Sequence, residues 1–395
     1  MSSVHQPIVL ILVPISTFFL SVGAFFHLAN IPYPRRVFLS PLLYIPAGVS
    51  FATSNWWPGD LNSLWGLLLC IWVGHSTSLL FIEDLGVWED GDYIGRISKL
   101  APHIPGKHHK GLKLWNNPLL LGTSYQIANK SKSATSFPSS LARFTVLRLG
   151  KLVTYVGMYL YIKSRIFPAV FMPLRMDEFD PLHQVYFRRL PSQIVPVTLR
   201  ETLLRCAFVC WWTFSAVAML DSAHAALSLV SVSLFRIDEP YEWPSIFGSL
   251  SQAWSIRRFW SKFWHQIVRR TYTNYGECIS RNILRLQPRS VPDKVFVIFM
   301  IFFLSGVSHA AVSWQLGDHC GWSLDIWWFC ANFFAGLLEV VVTQLFRACV
   351  KKLGFKRLDE SNWSKVVGFI WVFSFMFWSI PKWQYPKLYC HLSDA

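Results

Sequence analysis

A histidine inside an apolar stretch is the first residue whose type and position suggest chemistry. His309 lies within Phe302–Ala311, where the other residues are apolar or small. An ionisable side chain is unfavourable in hydrocarbon, so such a residue normally faces a protein interior or a water-filled cavity and has a function. An imidazole with a pKa of about 6.5 can accept a proton at neutral pH. His309 is therefore a candidate general base, and the alternative is a neutral histidine hydrogen-bonded to a neighbouring helix.

An aromatic and basic segment, Ser255–Gln266, precedes this histidine in the chain. A helix from about 252 to 272 would place four aromatic side chains on one broad face: Phe259, Trp260, Phe263 and Trp264. His265 would lie at the boundary with a cationic face. Such a helix can lie in the membrane interface, with its rings in lipid or protein and its cations at the headgroups. Alternatively, the cations bind an anionic cosubstrate; the candidates are Arg257, Arg258, Lys262, Arg269 and Arg270.

The composition indicates which kind of scaffold positions these residues. The chain is 53% hydrophobic and only 15% charged, whereas a soluble protein of this size needs more charge to cover its surface. The 20 Trp and 32 Phe residues are typical of membrane interfaces. A net charge of +15 would also suit a nucleic-acid partner, but Lys and Arg lie between apolar runs and form no soluble basic module. We expect an all-α, polytopic transmembrane helical bundle in a lipid bilayer, without a nucleic-acid partner.

About eight segments are long and apolar enough to cross a bilayer as helices. They are 7–28, 37–53, 61–82, 145–168, 203–222, 294–314, 324–345 and 363–380. The segment 145–168 is interrupted by Arg148, Lys151, Lys163 and Arg165. The apolar stretch 203–235 is too long for one span. It holds one crossing, one crossing plus a half-helix, or two crossings, and we prefer a single crossing because two would invert the sides of every later connection. We expect a single membrane-embedded domain over 1–395, with the aromatic-basic helix at the interface.

The distribution of Lys and Arg predicts the orientation of these spans. The connections 29–36, 83–142, 236–293 and 346–362 carry 23 of these residues, whereas the alternating segments carry 6. Because basic connections are retained in the cytosol, the loops 83–142 and 236–293 are predicted to be cytosolic and both termini lumenal. The sequons at Asn129 and Asn362 would then remain unglycosylated. Cys320 and Cys390 would share the lumenal side and could pair there, although the sequence does not favour a bridge.

The sequence contains no pattern that predicts a metal site. The eight cysteines form no CxxC, and no Cys/His spacing matches a zinc site. His103, His108 and His109 are best explained as part of a solvated basic loop. The acidic residues after the third span are best explained as a juxtamembrane patch, because a second Asp-rich motif for Mg²⁺ is missing; they are Glu83, Asp84, Glu89, Asp90 and Asp92.

Two motifs together resemble those of a known enzyme family. The pattern EWP…FG…SxxxFWxxxWH, which ends at His265, is followed by SGxxH, which ends at His309. This pair is similar to the wax-synthase-like branch of the membrane-bound O-acyltransferases, with a core region at about 236–320. In that superfamily an aromatic motif ending in Asn or His precedes a catalytic intramembrane His. The stretch Leu114–Asn129 also resembles fungal members, although it lacks their Arg-Gly core and retains Gly122-Thr123.

The resemblance implies an acyl-CoA-dependent O-acyltransferase with no bound cofactor. Fungal members typically transfer acetyl from acetyl-CoA to a hydroxyl of a terpenoid or meroterpenoid, so we expect acetyl-CoA as cosubstrate and a hydrophobic alcohol as acceptor. His309 would take the hydroxyl proton, His265 would orient the groups or stabilise the oxyanion, and the cations would bind CoA phosphates. We expect a multi-pass protein of the endoplasmic reticulum. The alternatives are a long-chain-alcohol acyltransferase and a transporter whose path includes His309, Asp221 and Glu339.

Overall fold

The computed structural model describes residues 5–57, 59–84, 114–115, 117–120, 140–191, 196–352 and 362–393. Within these ranges the protein is helical and contains no β-strand, which confirms the predicted all-α class. The sequons' Asn129, the histidines 103, 108 and 109, the acidic residues 89, 90 and 92, and the Gly122-Thr123 pair lie outside the described residues. The chain forms two compact units.

The described residues form a series of α-helices along the chain. They are α1 (His5–Leu28), α2 (Tyr33–Leu39), α3 (Pro41–Thr53), α4 (Gly59–Thr77), α5 (Leu141–Tyr161), α6 (Phe167–Phe171), α7 (Tyr186–Arg189), α8 (Leu199–Ser228), α9 (Ile256–Arg258), α10 (Arg269–Cys278), α11 (Val291–Gln315), α12 (Ser323–Lys352) and α13 (Asn362–Ser393). Turns of π-helix extend several of them: Ser78–Ile82, Ile162–Ile166, Leu229–Leu234, Phe259–Phe263 and Ile279–Ile283.

The first unit is formed by Met1–Phe144, Val230–Pro244 and Gln266–Gly317. Its apolar core lies between α1, α3 and α4, where Phe25, Leu43 and Trp72 are buried. The hydroxyl of Ser50 on α3 donates to the carbonyl of Pro14 on α1 at 2.6 Å. A small residue whose hydroxyl is satisfied by the neighbouring backbone allows two membrane helices to pack closely.

The second unit is formed by Thr145–Leu229, Ser245–His265 and Asp318–Ala395. A disulfide joins Cys320 to Cys390, the pairing that the sequence allowed but did not favour. Beside it, Lys387 contacts Asp325 at 2.8 Å and Asp318 at 3.1 Å, and all three side chains are buried. The C-terminal part of α13 is therefore tied to the segment that leads into α12 by one covalent bond and two ion pairs.

Seven described helical segments are long and apolar enough to cross a membrane. They are Ile11–Leu28, Tyr33–Trp56, Asp60–Ile82, Leu199–Leu234, Val291–Gln315, Ser323–Val350 and Trp363–Cys390. Each corresponds to one of the predicted spans. The eighth prediction, 145–168, is helical as α5 and α6 but is not among these seven candidate segments.

The long apolar stretch 203–235 forms one uninterrupted helical segment, because α8 continues directly into the π-helical turn that ends at Leu234. A continuous helix cannot turn back within the bilayer. The continuous helix therefore supports the single crossing over two crossings or a span plus a half-helix, and the number of crossings stays a prediction. The segment has 36 residues and a length of about 54 Å, so it extends beyond a hydrocarbon core of about 30 Å.

Candidate active site

The helix that carries His309 begins at a well-defined N-terminus. Ser290 is the N-cap of α11 and its hydroxyl accepts from the backbone N–H of Asp293 at 3.3 Å. Pro292 occupies the first turn, where its missing N–H is harmless. The buried carboxylate of Asp293 accepts from the Ser280 hydroxyl at 2.6 Å and the backbone N–H of Arg289 at 2.6 Å. These bonds fix the start and orientation of the most apolar candidate span.

His309 lies six residues before the C-terminal end of α11 and is half-buried. Gly306 and Ala310, on either side of it, are buried. The hydroxyls of Ser305 and Ser308 donate to carbonyls of the preceding turn, Ile301 at 2.7 Å and Leu304 at 2.9 Å. Both hydroxyls are therefore satisfied within the helix. His309 is the ionisable side chain of this stretch.

A hydrogen bond fixes α11 one residue before His309. The buried Tyr272 of α10 lies 2.6 Å from Ser308, hydroxyl to hydroxyl. Ser308 already donates its hydrogen to Leu304, so Tyr272 is the donor to Ser308. Burial raises the pKa of Tyr272 well above its ordinary value, which keeps the phenol protonated for this role. Gly276 permits the close packing, since a Cβ there would lie 3.2 Å from Met300 Cβ.

A buried polar network joins α10 to the end of α4. Arg270 is only 4% exposed and forms an ion pair with Glu83. The same carboxylate accepts from Asn274 at 2.7 Å and from Ser78 at 2.7 Å. Burial lowers the pKa of Arg270, and the charge of Glu83 opposes that shift. Glu83, which the sequence placed in a juxtamembrane acidic patch, is thus the counter-ion of a cation that the sequence assigned to the cosubstrate.

The aromatic-basic segment is not the single helix that was expected from about 252 to 272; that prediction is wrong in its length. Ser255 caps α9, the helix continues as a π-helical turn to Phe263, and Trp264 is extended. The Phe263 carbonyl instead accepts from the backbone N–H of Gly248 at 2.8 Å. This pairing with a distant backbone ends the helix, so Arg269 and Arg270 belong to a separate helix, α10. A Cβ at Gly248 would lie 2.0 Å from the Lys262 carbonyl oxygen, so only glycine fits there.

The aromatic side chains of the segment pack against protein rather than lipid. Phe259, Phe263 and Trp264 are buried. Trp264 stacks on Trp212 of α8, with ring centroids 5.0 Å apart and planes at 5°. Trp212 in turn contacts the edge of Trp328 on α12 at 4.9 Å. The sequence left open whether these rings contact lipid or protein, because an apolar face is compatible with both. The structure shows that they contact protein.

Three indole N–H groups of this aromatic cluster donate to protein acceptors. Trp260 Nε1 donates to Asn332 Oδ1 at 3.0 Å, and Asn332 donates to the Trp328 carbonyl at 2.8 Å. Trp328 Nε1 donates to Ser379 at 3.2 Å, and Trp383 Nε1 donates to Asp325 at 2.7 Å. Satisfied indoles in a stacked core hold their rings in one arrangement.

His265 directly follows this rigid cluster and is half-buried. Its imidazole lies 5.8 Å from the Phe247 ring at an interplanar angle of 86°, and 5.7 Å from the Trp264 ring. Aromatic walls on two sides limit the orientations of the imidazole. The structure therefore presents His265 on a fixed support, just after the point where the helix ends.

The predicted cosubstrate cations differ in how they are engaged. Arg257 and Lys262 are exposed. The guanidinium of Arg258 lies 4.4 Å from the Trp254 ring and its Nε donates to the Gln252 carbonyl at 3.2 Å. Arg269 is half-buried and donates to Gln266 at 3.3 Å. Arg257 and Lys262 are thus the most accessible of the set.

Comparison with known proteins identifies the class of this chain. The family model described as the membrane bound O-acyl transferase family matches residues 243–331. The protein named acetyltransferase atnC, from Arthrinium sp, is 32% identical over 368 residues, which is 89% of this chain and 81% of that protein. This chain belongs to the membrane-bound O-acyltransferase family. Other relatives are acetyltransferase ataH of Aspergillus terreus, 27% identical over 67% of this chain and 84% of that protein, and acetyltransferase TRI7 of Fusarium sporotrichioides, 33% identical over 44% and 39%.

Membership confirms that the chain is an O-acyltransferase and an integral membrane protein. His265, the aromatic residues 259–264 and His309 all lie within the residues that the family model matches. The predicted core at about 236–320 overlaps the same range. The match begins at Trp243, whose buried indole donates to Asp238 at 3.0 Å.

Asp221 and Glu339, the acidic residues that the transporter alternative placed along a transport path, both contact other groups of the protein. Asp221 on α8 is buried and lies 2.6 Å from Lys151 on α5. Glu339 on α12 accepts from the backbone N–H of Ile256 at 2.7 Å and from Trp371 Nε1 at 3.2 Å. Glu339 therefore caps the first turn of α9, and Asp221 neutralises a lysine.

Sequence reasoning missed Tyr272 and Asn274 as neighbours of the predicted site. Both lie in a stretch without basic residues between Arg270 and Arg281, so the charge pattern drew no attention to them. The helix α10 is strongly amphipathic, and Tyr272 and Gly276 recur at i and i+4 on the face that packs on α11. That periodicity is the signal that could have placed them.

Proposed function

We propose that this membrane-bound O-acyltransferase transfers an acetyl group from acetyl-CoA to a hydroxyl of a hydrophobic acceptor of the terpenoid or meroterpenoid class. Several relatives from fungi are named acetyltransferases, which supports acetyl over a longer acyl group. The runner-up is transfer of a fatty acyl group to a long-chain alcohol. The observation that carries the proposal is the position of His309, which is half-buried in the candidate span of highest mean hydropathy. Hydrogen bonds hold this helix at its N-terminus and at Ser308, the residue before the histidine.

In the proposed reaction, a ring nitrogen of His309 accepts the proton of the acceptor hydroxyl as its oxygen attacks the thioester carbonyl carbon. The new C–O bond forms and a tetrahedral oxyanion develops. The C–S bond then breaks, and the CoA thiolate takes the proton from the imidazolium. Atoms and charges balance without a covalent enzyme intermediate, so no serine or cysteine nucleophile is required.

His265 is proposed to orient the reacting groups or to donate to the oxyanion. Its fixed support on the aromatic cluster favours such a role, because a preorganised donor stabilises developing charge without reorganisation. Arg257, Arg258, Lys262 and Arg269 are proposed to bind the CoA phosphates through charge-assisted hydrogen bonds. Arg270 was part of that prediction, but its ion pair with Glu83 gives it a separate, structural function in this proposal.

We place the enzyme in the endoplasmic reticulum membrane. The Cys320–Cys390 pairing supports an oxidising lumen on one side, and the basic connections support a cytosol on the other. Acetyl-CoA would arrive from the cytosol, and a hydrophobic alcohol would arrive laterally through the bilayer.

The test uses microsomes that contain the full chain, labelled acetyl-CoA and a panel of terpenoid alcohols. Removal of a general base reduces catalysis by about 10²–10⁴, so we expect His309→Ala to lower kcat by that factor while acetyl-CoA KM changes little. Undiminished transfer by His309→Ala would exclude the base role. Palmitoyl-CoA with hexadecanol, assayed in parallel, tests the runner-up, and faster transfer with that pair would overturn the acetyl assignment.

The cosubstrate assignment has its own variants. Each charge-assisted bond to a phosphate contributes about 1.5–3 kcal/mol, so we expect Arg257→Gln and Lys262→Gln each to raise acetyl-CoA KM about tenfold. Lys294→Gln, which removes an exposed cation at the start of α11, is the matched control. An equal effect in the control would show a general loss of positive charge instead of a binding site.

A further inference from the structure

An apolar groove runs along α12 and α13 in the second unit. Its volume is about 730 Å³, and its walls repeat every three to four residues on both helices. The main lining residues are Ala331, Phe334 and Leu338 on α12 and Trp371, Phe375 and Trp378 on α13. Small side chains leave the space: Ala335 is buried and Ala331 half-buried between larger neighbours.

The groove is open to the side of two membrane spans. Phe334 is 58% exposed and Leu338 is 54% exposed, although both lie within the candidate span Ser323–Val350. From Trp327 to Leu338 the helix rises about 16 Å, which is about half of a hydrocarbon core. A trough of this length suits one acyl chain of one leaflet.

A second, smaller pocket of about 250 Å³ adjoins the groove at Trp327 and supplies a polar end. Lys382 and Gln184 are among its lining residues. The ammonium of Lys382 lies 4.9 Å from the Trp378 ring, and Trp378 also lines the groove. The groove and the small pocket therefore form one amphipathic surface, which we call the α12–α13 groove.

The charge at this polar end is not neutralised by protein. Among the residues that the structure describes, Lys382 has no acidic partner, and its charged neighbours are the cations Arg188 and Arg205. Arg188 is exposed and has no acidic partner in the same described ranges. By contrast, Lys387, only five residues along α13, contacts both Asp318 and Asp325. A cation left uncompensated beside an apolar trough is complementary to an anionic amphiphile.

We propose that the α12–α13 groove binds an anionic phospholipid of the surrounding bilayer, with one acyl chain along the trough and the phosphate at Lys382 and Arg188. Bilayer lipid is the favoured occupant because the trough opens sideways along membrane spans, where phospholipid is always present at high concentration. The inference does not depend on the acyl-transfer chemistry, because none of these residues belongs to the proposed catalytic or cosubstrate set.

The test is native mass spectrometry of the purified full chain with dioleoyl phosphatidic acid and, separately, dioleoyl phosphatidylcholine. A basic residue at a membrane surface contributes about fivefold to binding of an anionic lipid. We expect Lys382→Gln and Arg188→Gln each to weaken phosphatidic acid binding about fivefold and the double variant about thirtyfold. Lys382→Arg should retain binding, and Lys294→Gln is the control for overall charge.

A second pair of variants tests the trough itself. Ala335→Trp places an indole in the groove and should reduce phosphatidic acid binding at least tenfold, whereas Val341→Trp, at an exposed position of α12 outside the groove, should not. Equal binding of the two lipids together with no effect of Lys382→Gln would overturn the proposal. So would displacement of phosphatidic acid by equimolar palmitate, which would instead indicate a small carboxylated ligand.

Discussion

Replacement of Glu83 tests whether Arg270 is a structural cation or a cosubstrate ligand. Arg270 is 4% exposed, and Glu83 accepts from it, from Asn274 and from Ser78. Removing one partner of a buried ion pair leaves an uncompensated charge and costs about 3–5 kcal/mol. Because the Glu83 side chain is 17% exposed, we expect Glu83→Gln to lose about 3 kcal/mol, at the lower end of that range. For a chain of 395 residues this corresponds to a Tm lower by about 4 °C.

The assay is thermal unfolding of the purified protein in detergent for Glu83→Gln, Arg270→Met and the double variant. If the two side chains act as a pair, the double variant loses less stability than the two single losses added together, with a coupling of about 1–3 kcal/mol. Glu277→Gln is the matched control on α10, since its ion pair with Arg281 is between partly exposed side chains and contributes about 0.5 kcal/mol.

The KM for acetyl-CoA is measured on the same variants, because it separates the two functions of Arg270. A structural pair predicts that Arg270→Met and Glu83→Gln lower Tm alike and leave acetyl-CoA KM within about twofold. A cosubstrate ligand predicts that Arg270→Met raises KM about tenfold at unchanged Tm. The second pattern would refute the reasoning from the buried network.

Three further changes test the packing around the site and the topology. Gly248→Ala places a Cβ against the Lys262 carbonyl, so we expect a large loss of folded protein in size-exclusion chromatography; wild-type yield would contradict the close approach. Tyr272→Phe removes the donor to Ser308, so kcat should fall about threefold to tenfold with little change in acetyl-CoA KM, and an unchanged kcat would separate this bond from His309. A glycosylation sequon appended after Ala395 should be modified, whereas Asn362 should stay unmodified; a glycan at Asn362 would invert the orientation.

The sequence predicted the membrane helices well because hydropathy and length are local properties. Seven predicted spans correspond to candidate membrane helices, and the continuous α8 follows from an apolar run that contains no Gly or Pro. It also predicted the aromatic face of the segment before His265. Whether that face packs on lipid or on protein depends on Trp212 and Trp328, which are distant in the chain, so local sequence could not decide it.

The polar contacts of the candidate site were not predictable for the same reason. Glu83 and Arg270 are separated by 187 residues, and each looked like a member of a local charged group. The end of the aromatic helix depends on a backbone pairing between Gly248 and Phe263 that leaves no trace in side-chain periodicity. Sequence therefore identified which residue types matter, whereas the structure shows which of them already have partners.

The predicted orientation of the two long loops constrains the number of crossings between them. The loops 83–142 and 236–293 are both predicted to be cytosolic, so an even number of crossings must separate them. The continuous α8 supplies one crossing. Among the described residues between the two loops, the segment α5–α6 is the other helix that is long enough to supply a second. Its charges are less unfavourable in a bilayer than composition suggests, because Asp221 of α8 neutralises Lys151. Its exposed apolar side chains, such as Val146 at 69% and Val153 at 63%, also require a lipid environment, which favours an eighth span.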